Sequence, residues 1–168
     1  MRSGFFLKGG ARDLLHRFKY DGEIWLAGDI GDLIRRQIEP ELDPAGWDVL
    51  LPTPLHSRRL KKRGFNQAEE MARALSRAWG IPVLKGAVRR DRMTEKQALL
   101  TAAGRRRNVV GAFRVRSPRG LAGKRILLVD DVTTTGATLG ELASVLRRLP
   151  RDQRPLEIGA VTFARGGF

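Results

Sequence analysis

The stretch ILLVDDVTTTGATL, residues 126–139, decides the fold. Ile126 to Val129 form an apolar run with no polar alternation, the pattern of a strand covered on both faces by helices in a parallel sheet. Two carboxylates follow, Asp130 and Asp131. Successive side chains of a strand point to opposite faces, so two neighbouring acids cannot both lie in an apolar sheet without a heavy desolvation cost. The pattern therefore puts them at the strand's end, on the rim of the sheet. There they are good acceptors for vicinal hydroxyls such as those of a ribose, or can hold magnesium through water.

The next residues, Val132, Thr133, Thr134, Thr135, Gly136, Ala137 and Thr138, supply the opposite chemistry. Gly136 and the small threonines let backbone N–H groups turn toward one point as the following helix begins, and N–H groups at the positive end of a helix make an anion site. One ligand suits both halves: a phosphorylated pentose, its sugar on the acids and its phosphate in the loop. The competing structural reading makes Asp130 and Asp131 ordinary strand-end acids and Thr133 or Thr134 a helix N-cap. A Walker loop is excluded, because no GxxxxGK[ST] is present and no lysine follows Gly136.

Outward from this stretch, strand and helix alternate. DVLLPTP reads as a buried strand that must stop by Pro52 to Pro54. NQAEEMARALSRAWG reads as a helix opening at Asn66 and ending at Gly80, with Phe65 as a helix-entry staple. IPVLKGAVRR is read as a second strand, GKRILLVDDV as a third, GATLGELASVLRRL as a helix and LEIGAVTFARG as the closing strand. Upstream, GGARDLLHRFKYDGEIWLAGDIGDLIRRQI has helical spacing on either side of a break near Asp21-Gly22. Residues 91–109 are polar and basic, a candidate functional loop. The alternation predicts an α/β fold, a parallel sheet with right-handed crossovers and helices on both faces, whose ligands bind beyond the carboxyl ends of the strands.

The chain has 168 residues, a length suited to one domain, and a formal charge of +14 with Arg outnumbering Lys 25 to 7. Such a surface attracts phosphates, nucleotides or nucleic acid, although Arg-rich coding can also produce a merely solvated basic surface. There is no cysteine, hence no disulfide framework and no thiolate nucleophile. No long apolar run or signal-peptide pattern appears, so no membrane insertion and a cytoplasmic location are expected.

Residues 126–139 resemble the phosphoribosyl pyrophosphate (PRPP) motif of type I phosphoribosyltransferases. Three further blocks, HRFKYDGE at 16–23, PTPLHSRRLKKRGFNQAEEMARAL at 52–75, and Arg90, Arg92, Thr94, Gln97, Leu100, Arg105 and Asn108 leading into GAF at 111–113, resemble the ComF/GntX-type branch, linked with natural competence and DNA uptake. The likeness runs from about His16 to Phe163. Members of that branch often begin with a cysteine-rich zinc ribbon, whereas this chain has no Cys, so no zinc ligands are expected.

The resemblance implies a type I phosphoribosyltransferase fold: a central, mostly parallel sheet flanked by helices, with a small N-terminal helical hood at 1–46 and the core at 47–168, together one compact domain. It implies that Asp130 and Asp131 fix the ribose hydroxyls, a catalytic role of orientation, and that Val132, Thr133, Thr134, Thr135, Gly136, Ala137 and Thr138 hold the 5′-phosphate. Thr53, Pro54, Leu55, His56, Ser57, Arg58 and Arg63 correspond to the pyrophosphate loop, with backbone N–H groups of 53–57 facing the diphosphate. Arg90, Arg92, Lys96, Gln97 and Arg105 correspond to a flexible loop that closes over PRPP. His56 has no paired acid in view and is read as a structural loop residue, and His16 as a packing residue.

Function follows as an expectation. The chain is a Mg-dependent phosphoribosyltransferase, a glycosyltransferase of pentosyl groups in nucleotide metabolism, with Mg2+ carried by PRPP and an undetermined acceptor for which a nucleobase is one class. PRPP, pyrophosphate or ribose 5-phosphate are its expected ligands, and a homodimer its expected assembly. The alternative is a non-catalytic accessory or sensor that keeps the PRPP fold among competence DNA-processing proteins. Weak charge-driven nucleic-acid binding ranks last, since no aromatic-interleaved RNA motif or recognition-helix pattern stands out.

Overall fold

A computed structural model of the chain describes residues 1–92 and 109–166. In order it contains β1 (Arg2–Phe6), α1 (Gly9–Tyr20), α2 (Ala27–Ile38), β2 (Val49–Pro52), α3 (Ser57–Arg63), α4 (Gln67–Trp79), β3 (Val88–Arg90), β4 (Phe113–Val115), β5 (Arg125–Thr133), α5 (Ala137–Arg147) and β6 (Glu157–Arg165), with short 3₁₀ turns between some of them. The main sheet runs β1-β6-β5-β2, and all its pairings are parallel.

β5 lies inside this sheet, between β6 and β2, which is why its apolar run shows no alternation. Leu127 and Val129 face a core built with Leu50, Val161 and Phe163 and with Leu15 and Phe18 of α1, Ile30 and Ile34 of α2, and Met71 and Leu75 of α4. Ile126 and Leu128 face the opposite way, onto Val49, Leu51 and Ala160 and onto Leu139, Leu142 and Leu146 of α5. The molecule is therefore three-layered, helix on sheet on helix.

Local signals explain the helix that follows β2. The Asn66 side chain accepts from the Ala68 N–H at 3.2 Å, and Gly80 ends α4 in the left-handed conformation, at φ 70°. The same Asn66 donates from Nδ2 to the Thr53 carbonyl at 3.1 Å, tying the helix start to the end of β2. Phe65 is buried beside it, its ring centre 5.3 Å from that of Phe18.

Four expectations are corrected. Residues 1–46 are not wholly a helical hood: Arg2 to Phe6 form the edge strand β1, and α1 and α2 belong to the main core. IPVLKGAVRR is not one strand of the main sheet. Val83 makes a single parallel bridge to Leu50, and Val88 to Arg90 pair antiparallel with β4 in a separate two-stranded sheet. The basic run after β2 is a helix, α3, started by His56, whose Nδ1 accepts from the Arg58 N–H at 3.2 Å, and stopped by Gly64 at φ 84°. His16 is exposed rather than packed, 3.6 Å from Asp21 Oδ2.

α2 and α4 cross closely because Gly31 has no side chain; a Cβ there would lie 2.4 Å from Ala74 Cβ. Gly31→Val forces the helices apart, an overpacking cost of about 1–3 kcal/mol, and should lower the melting temperature by several degrees in a thermal unfolding scan. An unchanged melting temperature would contradict this account of the crossing.

Candidate functional site

β2 stops at Pro52, opposite Val129 of β5, and the Thr53 N–H closes the last bond to the Val129 carbonyl at 2.9 Å. β5 continues to Thr133 paired with β6 alone, Asp130 opposite Thr162 and Val132 opposite Ala164. The acids thus sit within β5, past the end of its neighbour, where one flank of the strand is vacated. That is more specific than the expected strand end, and it satisfies the same desolvation argument.

Both carboxylates are engaged locally. Asp130 Oδ1 accepts from the Asp131 N–H at 2.9 Å, and Asp131 Oδ1 accepts from the Val132 N–H at 2.6 Å. Asp131 Oδ2 lies 2.7 Å from Nζ of Lys19, at the end of α1. Among the described residues Asp130 has no such close cation, and burial, reinforced by the neighbouring Asp131 charge, pushes its pKa up to about 7. The Asp131 N–H, Lys19 and Arg90 pull the other way without prevailing.

Cationic groups lie near Asp130 as well. Arg90 of β3 carries its guanidinium 5.4 Å from the Phe113 ring centre, and burial lowers its pKa. Arg59 of α3 acts in the same direction by like-charge repulsion, while Asp130 opposes it, so the three charges share one neighbourhood. Two arginines facing a partly desolvated acid are suited to a polyanion that also brings hydroxyls.

The loop behind the acids runs Thr134 to Gly136, and Gly136 enters α5 at φ 71° with no side chain capping the helix. The N-cap reading of Thr133 or Thr134 is therefore overturned. The hydroxyls of Thr134 and Thr135 are buried with no hydrogen-bond partner among the described residues, as are Thr53 Oγ1 and Gln67 Nε2. Each such group costs about 1–3 kcal/mol if left unmatched. They belong to elements at the carboxyl ends of β2 and β5, where a polar ligand would satisfy them.

Residues 60–167 match the phosphoribosyl transferase domain. The chain belongs to that family. It is similar to Competence protein F of Haemophilus influenzae, 35% identical over 144 residues that cover 81% of this chain and 61% of that protein. DNA utilization protein YhgH of Escherichia coli strain K12 is 34% identical over 138 residues, covering 80% and 60%. Competence protein ComFC of Bacillus subtilis is 27% identical over 139 residues, covering 82% and 54%. The chain is a ComF-like member of the phosphoribosyl transferase family, and it spans about three fifths of the length of the first two of these relatives.

Within that family frame, the expected site residues divide. Asp130 and Asp131 near the end of β5 and Thr134, Thr135, Gly136, Ala137 and Thr138 beyond it fall together on the rim, whereas the Val132 N–H is taken by Asp131 and Thr133 is the buried last residue of the strand. In the segment after β2, the Thr53 N–H is used by the sheet and Pro54 has none, leaving Leu55, His56 and Ser57 as the backbone donors. Arg58 is exposed and Arg63 half-buried, its guanidinium 5.2 Å from the Tyr20 ring centre. Arg92 donates to the Val110 carbonyl at 3.3 Å in an exposed contact. Lys96, Gln97 and Arg105 lie outside the described residues. Arg59 is among the basic residues after β2 whose charge the sequence places near the diphosphate, whereas Lys19 and Gln67 carry no such individual signal; Gln67 stands inside the quoted 52–75 block and Lys19 inside 16–23.

The raised Asp130 pKa has a sign. An acid that ionises less readily when folded than when unfolded makes the fold lose stability as pH rises from about 4 toward 7. Asp130→Asn removes that loss while its side-chain oxygen keeps the bond from the Asp131 N–H. Its gain in melting temperature over wild type should be larger at pH 8 than at pH 5, and a pH-independent difference would contradict the assignment.

Proposed function

We propose that the chain binds PRPP as its magnesium complex and transfers the phosphoribosyl group to an acceptor. The observation that carries this reading is the pairing, on one rim, of two partly desolvated acids with an uncapped helix start reached through Thr134 to Gly136. Asp130 and Asp131 take the ribose hydroxyls, the Thr134 to Thr138 segment takes the 5′-phosphate, and the start of α3 with Arg59 and Arg90 takes the diphosphate. On this reading magnesium is carried on the ligand's diphosphate and not by a protein cluster of its own. Bound there, magnesium supplies neutralisation of diphosphate charge.

In the transfer, the bond from ribose C1 to the diphosphate oxygen breaks, its electron pair leaving with the diphosphate, and a new bond forms from the acceptor to C1. Asp130 and Asp131 orient C1 toward the acceptor, and Arg59 and Arg90 stabilise the charge that collects on the leaving group. A nucleobase acceptor gives up its N–H proton to solvent or to the departing diphosphate, so these residues orient and stabilise without transferring it.

A second reading has its own support. Relatives carry the names competence protein and DNA utilization protein, and the chain has a net charge of +14. On that reading the PRPP pocket serves a non-catalytic accessory or sensor in DNA uptake or processing. Diphosphate release measured with PRPP, magnesium and a panel of nucleobases separates the two. Acceptor-dependent release supports transfer, and PRPP binding without any turnover supports the sensor. Asp130→Asn combined with Asp131→Asn should abolish PRPP binding in calorimetry while circular dichroism stays native; unchanged affinity would defeat both readings.

A further inference from the structure

Three consecutive residues at the end of α1 reach three parts of the site. Phe18 meets Phe65, between α3 and α4, with ring centres 5.3 Å apart. Lys19 Nζ lies 2.7 Å from Asp131 Oδ2 on β5. Tyr20 has the guanidinium of Arg63, the last residue of α3, 5.2 Å from its ring centre. Successive helical residues point about 100° apart, so one turn touches all three only because it is lodged between α3 and β5.

The three contacts differ in kind. Phe18 is fully buried and packs, and Tyr20 faces solvent over most of its surface. Lys19 and Asp131 are both largely withdrawn from water, their side chains 16% and 18% exposed. In such a place a carboxylate without a partner is costly, and removing one member of the pair leaves the other uncompensated. Asp131 is also held from two sides, Oδ1 by the Val132 N–H and Oδ2 by Lys19. A carboxylate oxygen has a second acceptor direction, so Oδ2 can take a hydroxyl while staying on Lys19.

We propose that Lys19 is a positioning residue for the pentose: by its contact with Oδ2 it fixes the orientation of the Asp131 carboxylate that receives a ribose hydroxyl. This rests on the reading of the acid pair as the ribose site. The end of α1 then acts on the sugar half of the ligand, while the diphosphate half is served by α3 and Arg90.

The test is calorimetry on wild type, Lys19→Met, Lys19→Arg and Asp131→Asn with three probes: PRPP with magnesium, ribose 5-phosphate, and inorganic pyrophosphate with magnesium. Loss of a hydrogen bond to a charged group predicts that Lys19→Met weakens PRPP and ribose 5-phosphate about tenfold or more. Pyrophosphate affinity stays as in wild type, and Lys19→Arg recovers much of the loss. A merely structural role of α1, which also contacts α3 through Tyr20 and the α3–α4 connection through Phe18, would weaken all three ligands together, and that result overturns the proposal. So does a Lys19→Met protein with wild-type affinity for PRPP when Asp131→Asn has lost it. If Lys19→Met does not fold, Lys19→Gln supplies the neutral side chain and the same comparison applies. Wild-type protein that binds neither PRPP nor ribose 5-phosphate overturns the ribose reading itself.

Discussion

β2 ends at Pro52 while β5 runs on to Thr133, and this difference in length is the constraint on which the rest of the structure depends. As far as Val129, β5 is paired on both edges and covered on both faces, so only apolar side chains are tolerated. One residue later its neighbour is gone. Asp130 and Asp131 occupy the first positions at which a carboxylate can be carried, still anchored by β6 on the other edge. The sheet thereby holds the acids rigidly while leaving them accessible from the side that β2 has vacated. The loop that turns back into α5 starts from the same rim, so the acids and the uncapped helix start are fixed relative to one another by strand geometry.

Charge then divides the pair. Asp131 has Lys19 at 2.7 Å and, among the described residues, Asp130 has no cation so close, so two residues adjacent in sequence sit in different electrostatic surroundings. Burial, reinforced by the Asp131 charge, raises the pKa of Asp130. Arg59 and Arg90 bring positive charge into the neighbourhood of Asp130, a field suited to an anionic ligand.

The parts of this arrangement that were legible in the sequence are those written locally. The unbroken run Ile126 to Val129 identifies a two-faced strand, Asn66 and Gly80 bracket α4, and Gly136 marks the entry to α5. What escaped is set by distant partners. β1, with sequence Arg2 to Phe6, has a glycine at its centre and no strong strand pattern, and it is held by β6 from the other end of the chain, including a 2.7 Å contact between the Ser3 and Thr162 hydroxyls. α3 buries none of its residues, so no periodicity could announce it, and only its cap at His56 and its stop at Gly64 define it. IPVLKGAVRR looks continuous because apolar content is even along it, yet Leu50 accepts only Val83 alongside it and the rest pairs with β4. Lys19 sits in a helical pattern among solvated charges, and nothing local says that its amine meets Asp131 rather than water.

A structure of the protein with PRPP and magnesium bound measures the central claim most directly. Ribose 2′- and 3′-hydroxyls are expected within hydrogen-bond distance, roughly 2.5–3.0 Å, of the Asp130 and Asp131 carboxylates. The 5′-phosphate is expected at the Thr134 to Thr138 turn and the diphosphate beside Arg59 and Arg90. A ligand whose 5′-phosphate sits instead at the start of α3, or whose sugar hydroxyls make no contact with either acid, would contradict that claim.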